Sequence, residues 1–345
     1  MIGNAKICGG RAFIIAEAGS NFNGDLGTAK RLIEEAAAAG ADAVKFQTFR
    51  AEKVITADVL KPSYQKGGAR DTESYQQSLR KFEISEEQHM ELKAFCGGKG
   101  IVFLSTPHGQ EESVELLERV GVPAYKIASG DITNIPFLKF VAKTRKPLFL
   151  STGMAAIAEI KEAISAVRKA GNSRIVAMQC TSSYPCRIGD ANLLAMQAIG
   201  RQCGVPAGFS DHTTSVALPA AAAALGAVAI EKHFTLDRNM EGPDHKASLE
   251  PREFALMVRY VREAEEALGS PAKKPLACER ELLKIIRKSV VAAVGIKAGE
   301  KISAKMLEIK RPGTGIPPEE IRKVVGRTAK RDIPKDSLVS FKDLK

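Results

Sequence analysis

The sequence predicts an α/β fold: a (β/α)8 TIM barrel followed by a small β-rich C-terminal domain. Three observations predict it. Eight short runs rich in Val, Ile, Phe and Ala alternate with segments of helical spacing through residues 13–268. Eight strand–helix units in about 250 residues are what a TIM barrel uses. The first turn, Gly19-Ser20-Asn21-Phe22-Asn23-Gly24, is not the G-x-G-x-x-G of an open dinucleotide-binding sheet. Past a Pro/Lys-rich linker, the chain repeats itself at an offset of 37 residues.

The strand runs are 13–18, 43–48, 101–106, 124–129, 147–151, 175–181, 207–211 and 227–234. Each precedes a helical pattern. Leu26, Ala29, Leu32, Ile33, Ala36 and Ala37 form an i, i+3, i+4, i+7 stripe that Gly40 ends. Ser85 before Glu86-Glu87-Gln88 reads as an N-cap for 86–97. Segments 111–120, 135–143, 156–170, 190–200, 215–225 and 251–267 complete the series, with Gly121, Gly171 and Gly226 closing three of them. The polar insertion at 50–84, with Gly67-Gly68, reads as a mobile loop over the barrel mouth. Barrel, linker and small domain are expected at 1–268, 269–284 and 285–345. In the last, Ile296–Leu307 and Ile333–Leu344 match as two copies of one strand–turn–strand unit.

Composition narrows the function. Hydrophobic residues make up 44% and charged residues 26% of 345, as in an ordinary globular protein. No apolar run reaches the ~18 residues of a membrane span, and the N-terminus offers no signal peptide, so a cytoplasmic protein without a membrane partner is expected. The six cysteines show no metal spacing and read as reduced and mostly buried. The net charge is +11, and residues 276–345 hold 17 Lys/Arg against 9 Asp/Glu. Those charges are scattered without base-stacking aromatics, which favours a solvated surface over nucleic acid.

In a TIM barrel the chemistry sits at the C-terminal strand ends. There stand Glu17, Ser20, Asn21 and Asn23; Lys45 and Gln47; Ser105, Thr106 and His108; Lys126 and Ser129; Ser151; Gln179, Ser182 and Tyr184; Ser210, Asp211 and His212; Glu231 and His233. Period-2 alternation turns Lys45 with Gln47, and Glu231 with His233, into the barrel. Interior lysines need anions. Lys45 and Lys126 with the hydroxyls of Thr106, Ser129, Ser151 and Ser210 make a phosphate cradle; pairing with Glu17 and Glu231 is the other reading. His212 and His233 end adjacent strands ~4.8 Å apart, close enough to share a divalent ion, or to form a hydrogen-bonded pair. Cys186 reads as packing. Arg311, before Pro312-Gly313, presents a guanidinium to a substrate anion or sugar, or simply to solvent.

AEAGSNFNG (16–24), ADAVKFQTF (41–49), PAYKIASGDI (123–132), LSTGM (150–154), CTSSYP (180–185), GFSDHT (208–213), EKHFT (231–235), GPDHKASLEP (242–251) and KRPGTGIPP (310–318) resemble, in order, the motifs of the sialic acid synthase family. The C-terminal repeat resembles that family's antifreeze-like (SAF) domain. The resemblance implies condensation of phosphoenolpyruvate with an N-acylated mannosamine-type sugar, giving a nonulosonic acid and phosphate by C–O cleavage. It implies that His212 and His233 hold Mn²⁺, or Mg²⁺ or Co²⁺, and that Lys45, Thr106, Lys126, Ser129, Ser151 and Ser210 bind phosphoenolpyruvate. Asn23, Gln47, Ser182, Tyr184, Asp244 and Arg311 would position the sugar, and Glu231 would transfer a proton. It also implies a domain-swapped homodimer. Phe22 replaces the usual His, and Asn23 stands where users of N-acetylmannosamine often carry Glu. A 2,4-diacetamido-6-deoxy sugar, as in legionaminate synthases, is the alternative substrate. A non-catalytic barrel binding a phosphorylated ligand is the reading from outside enzymology.

Overall fold

The structure is a computed structural model that describes residues 2, 7, 10–62 and 73–345. Cys8 and Gly67-Gly68 lie outside the described residues. The chain divides into two compact units, Met1–Gly269 and Ser270–Lys345.

The first unit contains eight strands: β1 Phe13–Glu17, β2 Ala43–Thr48, β3 Val102–Pro107, β4 Tyr125–Ile127, β5 Leu148–Ser151, β6 Ile175–Gln179, β7 Ala207–Asp211 and β8 Ala229–His233. All ladders are parallel and the order is β3-β2-β1-β8-β7-β6-β5-β4. Each strand thus neighbours its successor in sequence, β8 pairs with β1, and β3 lies beside β4, which closes the barrel.

Alternation sorts the side chains. Phe13, Ile15, Ala43, Leu104, Ala124, Phe149, Val176, Met178 and Ala229 form one apolar cluster inside the ring, with Phe13 stacked on Phe149 at 6.0 Å. Gly208 is needed there: a Cβ would stand 2.5 Å from Met178 Sδ. One layer higher, the inward positions become Glu17, Lys45, Thr106, Lys126, Ser151, Ser210 and Glu231, all buried. The outward residues, such as Ile14, Val44, Phe46, Ile127, Leu150 and Phe209, pack on the helices. A filled lower barrel and a polar upper layer place the site at the C-terminal strand ends.

The principal helices follow local signals. In α1 (Leu26–Ala38) Asp25 caps the first turn by accepting the Thr28 N–H at 2.6 Å. The insertion differs from the expected loop: it holds α2 (Ala51–Val54) and α3 (Tyr75–Arg80). Ser74 and Gln77 form a capping box on α3, a signal too short to read by periodicity over six residues. Ser85 caps α4 (Glu86–Gly98) in a box with Gln88, as expected. Then come α5 (Glu111–Val120), α6 (Ile135–Ala142), α7 (Ile157–Lys169), α8 (Leu193–Cys203), α9 (Leu218–Ala224) and α10 (Pro251–Leu268). Among the described residues no helix is long and apolar enough to cross a membrane.

The second unit opens with α11 (Arg280–Ile286), which begins inside the stretch whose composition reads as linker. Antiparallel β9 (Ser289–Ala292) and β10 (Leu307–Lys310) follow. The 37-residue repeat is structural. Ile296 pairs with Ile333, 3-10 turns occur at Ala304–Met306 and Phe341–Asp343, and Gly299 and Asp336 both adopt left-handed φ, +85° and +63°. Ile296, Ile302 and Leu307 share one core with their counterparts Ile333, Val339 and Leu344.

Candidate active site

A cavity of about 560 Å³ opens over the polar layer of the barrel. Gln47, Lys45, Thr106, Lys126, Ser129, Ser151, Ser182, Tyr184, Ser210, His212, Glu231, His233 and Asp244 all line it. One expected member does not. Asn23, at φ +53°, donates to the Glu241 carbonyl (2.9 Å) and faces His245 Nε2 (3.3 Å), so its amide ties two loops together instead of lining the cavity. Arg311 belongs to the second unit, just beyond β10, where it is exposed and has no ion pair among the described residues.

The charged floor is a connected cluster. Lys45 Nζ lies 2.6 Å from Glu17 and 3.8 Å from Glu231, and donates to Thr106 Oγ1 at 3.0 Å. Lys126 Nζ lies 3.3 Å from Glu231 and donates to Ser151 Oγ at 2.6 Å. Ser210 Oγ donates to Glu231 at 2.9 Å. The pairing with Glu17 and Glu231, weighed above as the rival of a phosphate cradle, is therefore present, and the four hydroxyls face the same space. Burial pushes the Lys45 ammonium pKa down, but Glu17 and Glu231 outweigh it and the net shift is upward. Burial pushes the Glu231 carboxyl up, but Lys126 and Lys45 overcome it and bring it to about 2. Burial raises Glu17 against the pull of Lys45.

Gly153 lets the cradle close. A Cβ there would stand 2.3 Å from Ser182 Oγ and 2.7 Å from Ser129 Oγ. Its N–H donates to Ser129 Oγ at 3.2 Å.

The two histidines stand as alternation requires, ring centroids 5.5 Å apart, with the Tyr184 ring 4.3 Å from His212 and 5.6 Å from His233. His212 Nδ1 donates to the Thr181 carbonyl at 2.7 Å, which leaves Nε2 with its lone pair. Burial and the neighbouring His233 lower the His212 pKa to about 3, so the imidazole is neutral, the form that binds metal. His233 Nδ1 is buried without a hydrogen-bond partner. Two adjacent imidazoles, one of them neutral and held by a backbone carbonyl, fit an open divalent-metal site. Among the described residues no group of three or more His, Cys, Asp or Glu could enclose an ion, so further ligands would be water or substrate.

The remaining acidic and histidine neighbours have other work. Asp211 turns away from the cavity and pairs with Lys232 at 2.6 Å, both fully buried. His245 Nδ1 shares a hydrogen bond with Thr235 Oγ1 at 2.7 Å. Asp244 accepts from Ser20 Oγ at 2.8 Å. Cys186 is buried and its thiol donates to the Arg187 carbonyl at 3.3 Å, as packing requires.

Several lining residues received no role from sequence. Asp131 and Asn134 follow β4, and burial raises the Asp131 carboxyl to about 6. Tyr75, Ser78 and Phe82 come from the insertion. The Ser74–Gln77 capping box was the signal that this segment is ordered. Ser20 and His108 were placed at strand ends without a task, and Glu17 only as an ion-pair partner of the lysines.

Comparison with known proteins matches residues 32–273 to the NeuB family and residues 287–345 to the SAF domain. An N,N'-diacetyllegionaminic acid synthase of Campylobacter jejuni is 44% identical over 95% of this chain and 99% of its own. The N-acetylneuraminate-9-phosphate synthase of Homo sapiens is 38% identical over 97% and 95%. Among solved structures, an N-acetylneuraminic acid synthetase from Leptospira borgpetersenii has a TM-score of 0.72 at 36% identity, covering 82% of this chain and 94% of that one.

Proposed function

The chain belongs to the NeuB family, and on that premise we propose that it condenses phosphoenolpyruvate with an N-acylated amino sugar to form a nonulosonic acid and inorganic phosphate. One observation carries the reading: two buried lysines, four hydroxyls and two imidazoles converge on one cavity. Of the candidate sugars we favour a 2,4-diacetamido-6-deoxy sugar. Relatives at 44% and 43% identity are N,N'-diacetyllegionaminic acid synthases, against 38% for the N-acetylneuraminate-9-phosphate synthases.

Lys45 and Lys126 bind the anionic substrate with Thr106, Ser129, Ser151 and Ser210, and stabilise phosphate as its charge grows on leaving. Carbon 3 of phosphoenolpyruvate bonds to the sugar aldehyde carbon, a water oxygen adds at carbon 2, and the bond from carbon 2 to the phosphate oxygen breaks. A divalent ion such as Mn²⁺, held by His212 and His233, supplies Lewis acidity toward the aldehyde. Glu231, central to the charged cluster, carries the proton between water and the aldehyde oxygen. Gln47, Ser182, Tyr184 and Asp244 orient the sugar. Arg311 is assigned to the sugar bound in a second copy, within a homodimer.

The test is a panel of sugars, including N-acetylmannosamine and the 2,4-diacetamido-6-deoxy compound, incubated with phosphoenolpyruvate and Mn²⁺. Phosphate release and product mass are read. The reading expects a nine-carbon acid, with higher kcat/KM for the diacetamido sugar. No sugar-dependent phosphate release would refute the reaction, and preference for N-acetylmannosamine would refute the sugar.

A further inference from the structure

Six buried side-chain polar atoms of the described residues lack a hydrogen bond, and Glu17 Oε2, His108 Nε2, Glu231 Oε2 and His233 Nδ1 belong to residues lining the cavity. The two carboxylate oxygens lie 2.6 and 3.8 Å from Lys45 Nζ, so an ion pair takes the place of the missing bond. His233 belongs to the imidazole pair assigned to the metal. His108 Nε2 alone has neither explanation.

His108 stands two residues beyond Thr106, on the same inward face and nearer the mouth. Its backbone N–H donates to the Thr48 carbonyl at 3.2 Å. Its ring meets Phe49 edge to face, centroids 5.6 Å apart at 90°. The charges that bear on it are Lys45 from β2 and Lys126 from β4. Burial first, then these two cations, bring its pKa to about 4, so the ring is neutral. Asp131, on the turn after β4, is already engaged by the Gly109 N–H and Asn134. A neutral imidazole carries one N–H donor, and in the tautomer that places it on Nε2 a buried donor lacks an acceptor, which is costly. Beside two lysines, what this wall lacks is an anionic acceptor.

We propose that His108 is a further binding residue for the anionic substrate, its imidazole donating to an anionic oxygen of phosphoenolpyruvate beside Lys45 and Lys126. The inference rests on the reading of the cavity as a phosphoenolpyruvate site. The oxygen belongs to the phosphate or the carboxylate, and the ring turns about its side-chain bonds to meet it.

The experiment compares wild type, His108→Phe and His108→Gln as full chains whose melting curves confirm folding. Phe keeps the ring against Phe49 and removes the nitrogen; Gln keeps a donor. A hydrogen bond to a charged oxygen is worth about ten- to a hundredfold in affinity. His108→Phe should therefore raise KM and Kd for phosphoenolpyruvate about tenfold or more, leave KM for the sugar unchanged, and be largely rescued by Gln. Calorimetry with inorganic phosphate and with pyruvate assigns the oxygen: the weakened probe is the one His108 contacts. A Phe variant within twofold of wild type overturns the proposal, as does a Gln variant impaired equally toward both substrates. Wild-type protein that neither binds phosphoenolpyruvate nor releases its phosphate refutes the parent reading instead. In that case the inorganic phosphate and pyruvate titrations of the three proteins together still judge His108: His108→Phe must weaken one of them.

Discussion

Replacing Lys232 with Met tests the alternation on which the whole site rests. Lys232 sits between the inward residues Glu231 and His233, so it points outward to the helices, and there it meets Asp211 at 2.6 Å with both side chains fully buried. Its ammonium also donates to the Thr213 carbonyl. The second Asp211 oxygen accepts the Thr213 N–H at 2.8 Å, so the pair holds the chain on both sides of His212. Burial lowers the Lys232 pKa against the pull of Asp211. Lys232→Met fills most of the volume but leaves Asp211 buried beside one N–H. Breaking a buried pair in this way costs about 3–5 kcal/mol. At about 2–4 °C per kcal/mol for a domain of this size, the melting point falls roughly 6–20 °C. Asp211→Asn in the same chain removes the stranded charge while keeping an acceptor for Thr213. The double variant should recover about 2 kcal/mol or more of that loss. The assay is thermal unfolding followed by far-ultraviolet circular dichroism. A single variant melting within 2 °C of wild type, or a double variant at the sum of the singles, would refute the reasoning.

Three further outcomes follow from the site. Protein stripped by chelator should lose activity and regain it with Mn²⁺, Mg²⁺ or Co²⁺; His212→Ala and His233→Ala should each weaken Mn²⁺ binding by calorimetry without lowering the melting point, and full activity in strong chelator sinks the metal assignment. Lys126→Met should raise KM for phosphoenolpyruvate about ten- to a hundredfold yet leave a folded barrel, because Lys45 still faces Glu231 at 3.8 Å; an unchanged KM excludes Lys126 from the anion site. Arg311→Ala and His212→Ala, each nearly inactive, should regain activity when unfolded and refolded together if Arg311 serves a second copy, and mixed dimers no more active than their parents would show that it does not.

The barrel and most of the residues lining its cavity were legible in the sequence because both depend on a short period. Eight apolar runs in series announce the ring, and counting by two along each run sends Lys45, Thr106, Lys126, Ser151, Ser210 and Glu231 inward. The helix caps at Ser85 and Gly121 are equally local. Where the signal is long-range, reading by period fails. Asp211 stands beside His212 in sequence and faces away from it in space. Asn23 looked like a sugar contact, but its loop had no period to orient it, and the side chain is spent on residues 241 and 245, more than two hundred positions away. Asp131 belongs to the same class: a close approach of Gly109, at φ +59° with no room for a Cβ, brings it to the wall.

On the proposed function, the two readings of the buried lysines are successive states of one site instead of rivals. An empty barrel holding two bare ammonium groups would pay the full desolvation penalty of both. Glu17 and Glu231 cancel that charge before any ligand arrives, and the hydroxyls of Thr106 and Ser151 satisfy one donor on each lysine. An entering anion then exchanges with carboxylates already present, and the lysines never lose a partner. The loosest link is the natural place for that exchange. Lys45 lies 3.8 Å from Glu231, beyond hydrogen-bond reach, whereas its pair with Glu17 is closed at 2.6 Å. Glu17 thus keeps Lys45 in position while Glu231, shared between both lysines, is the carboxylate an anion can displace. On that reading Glu231 stands where the proposed proton carrier is needed, coupled to the arrival of charge.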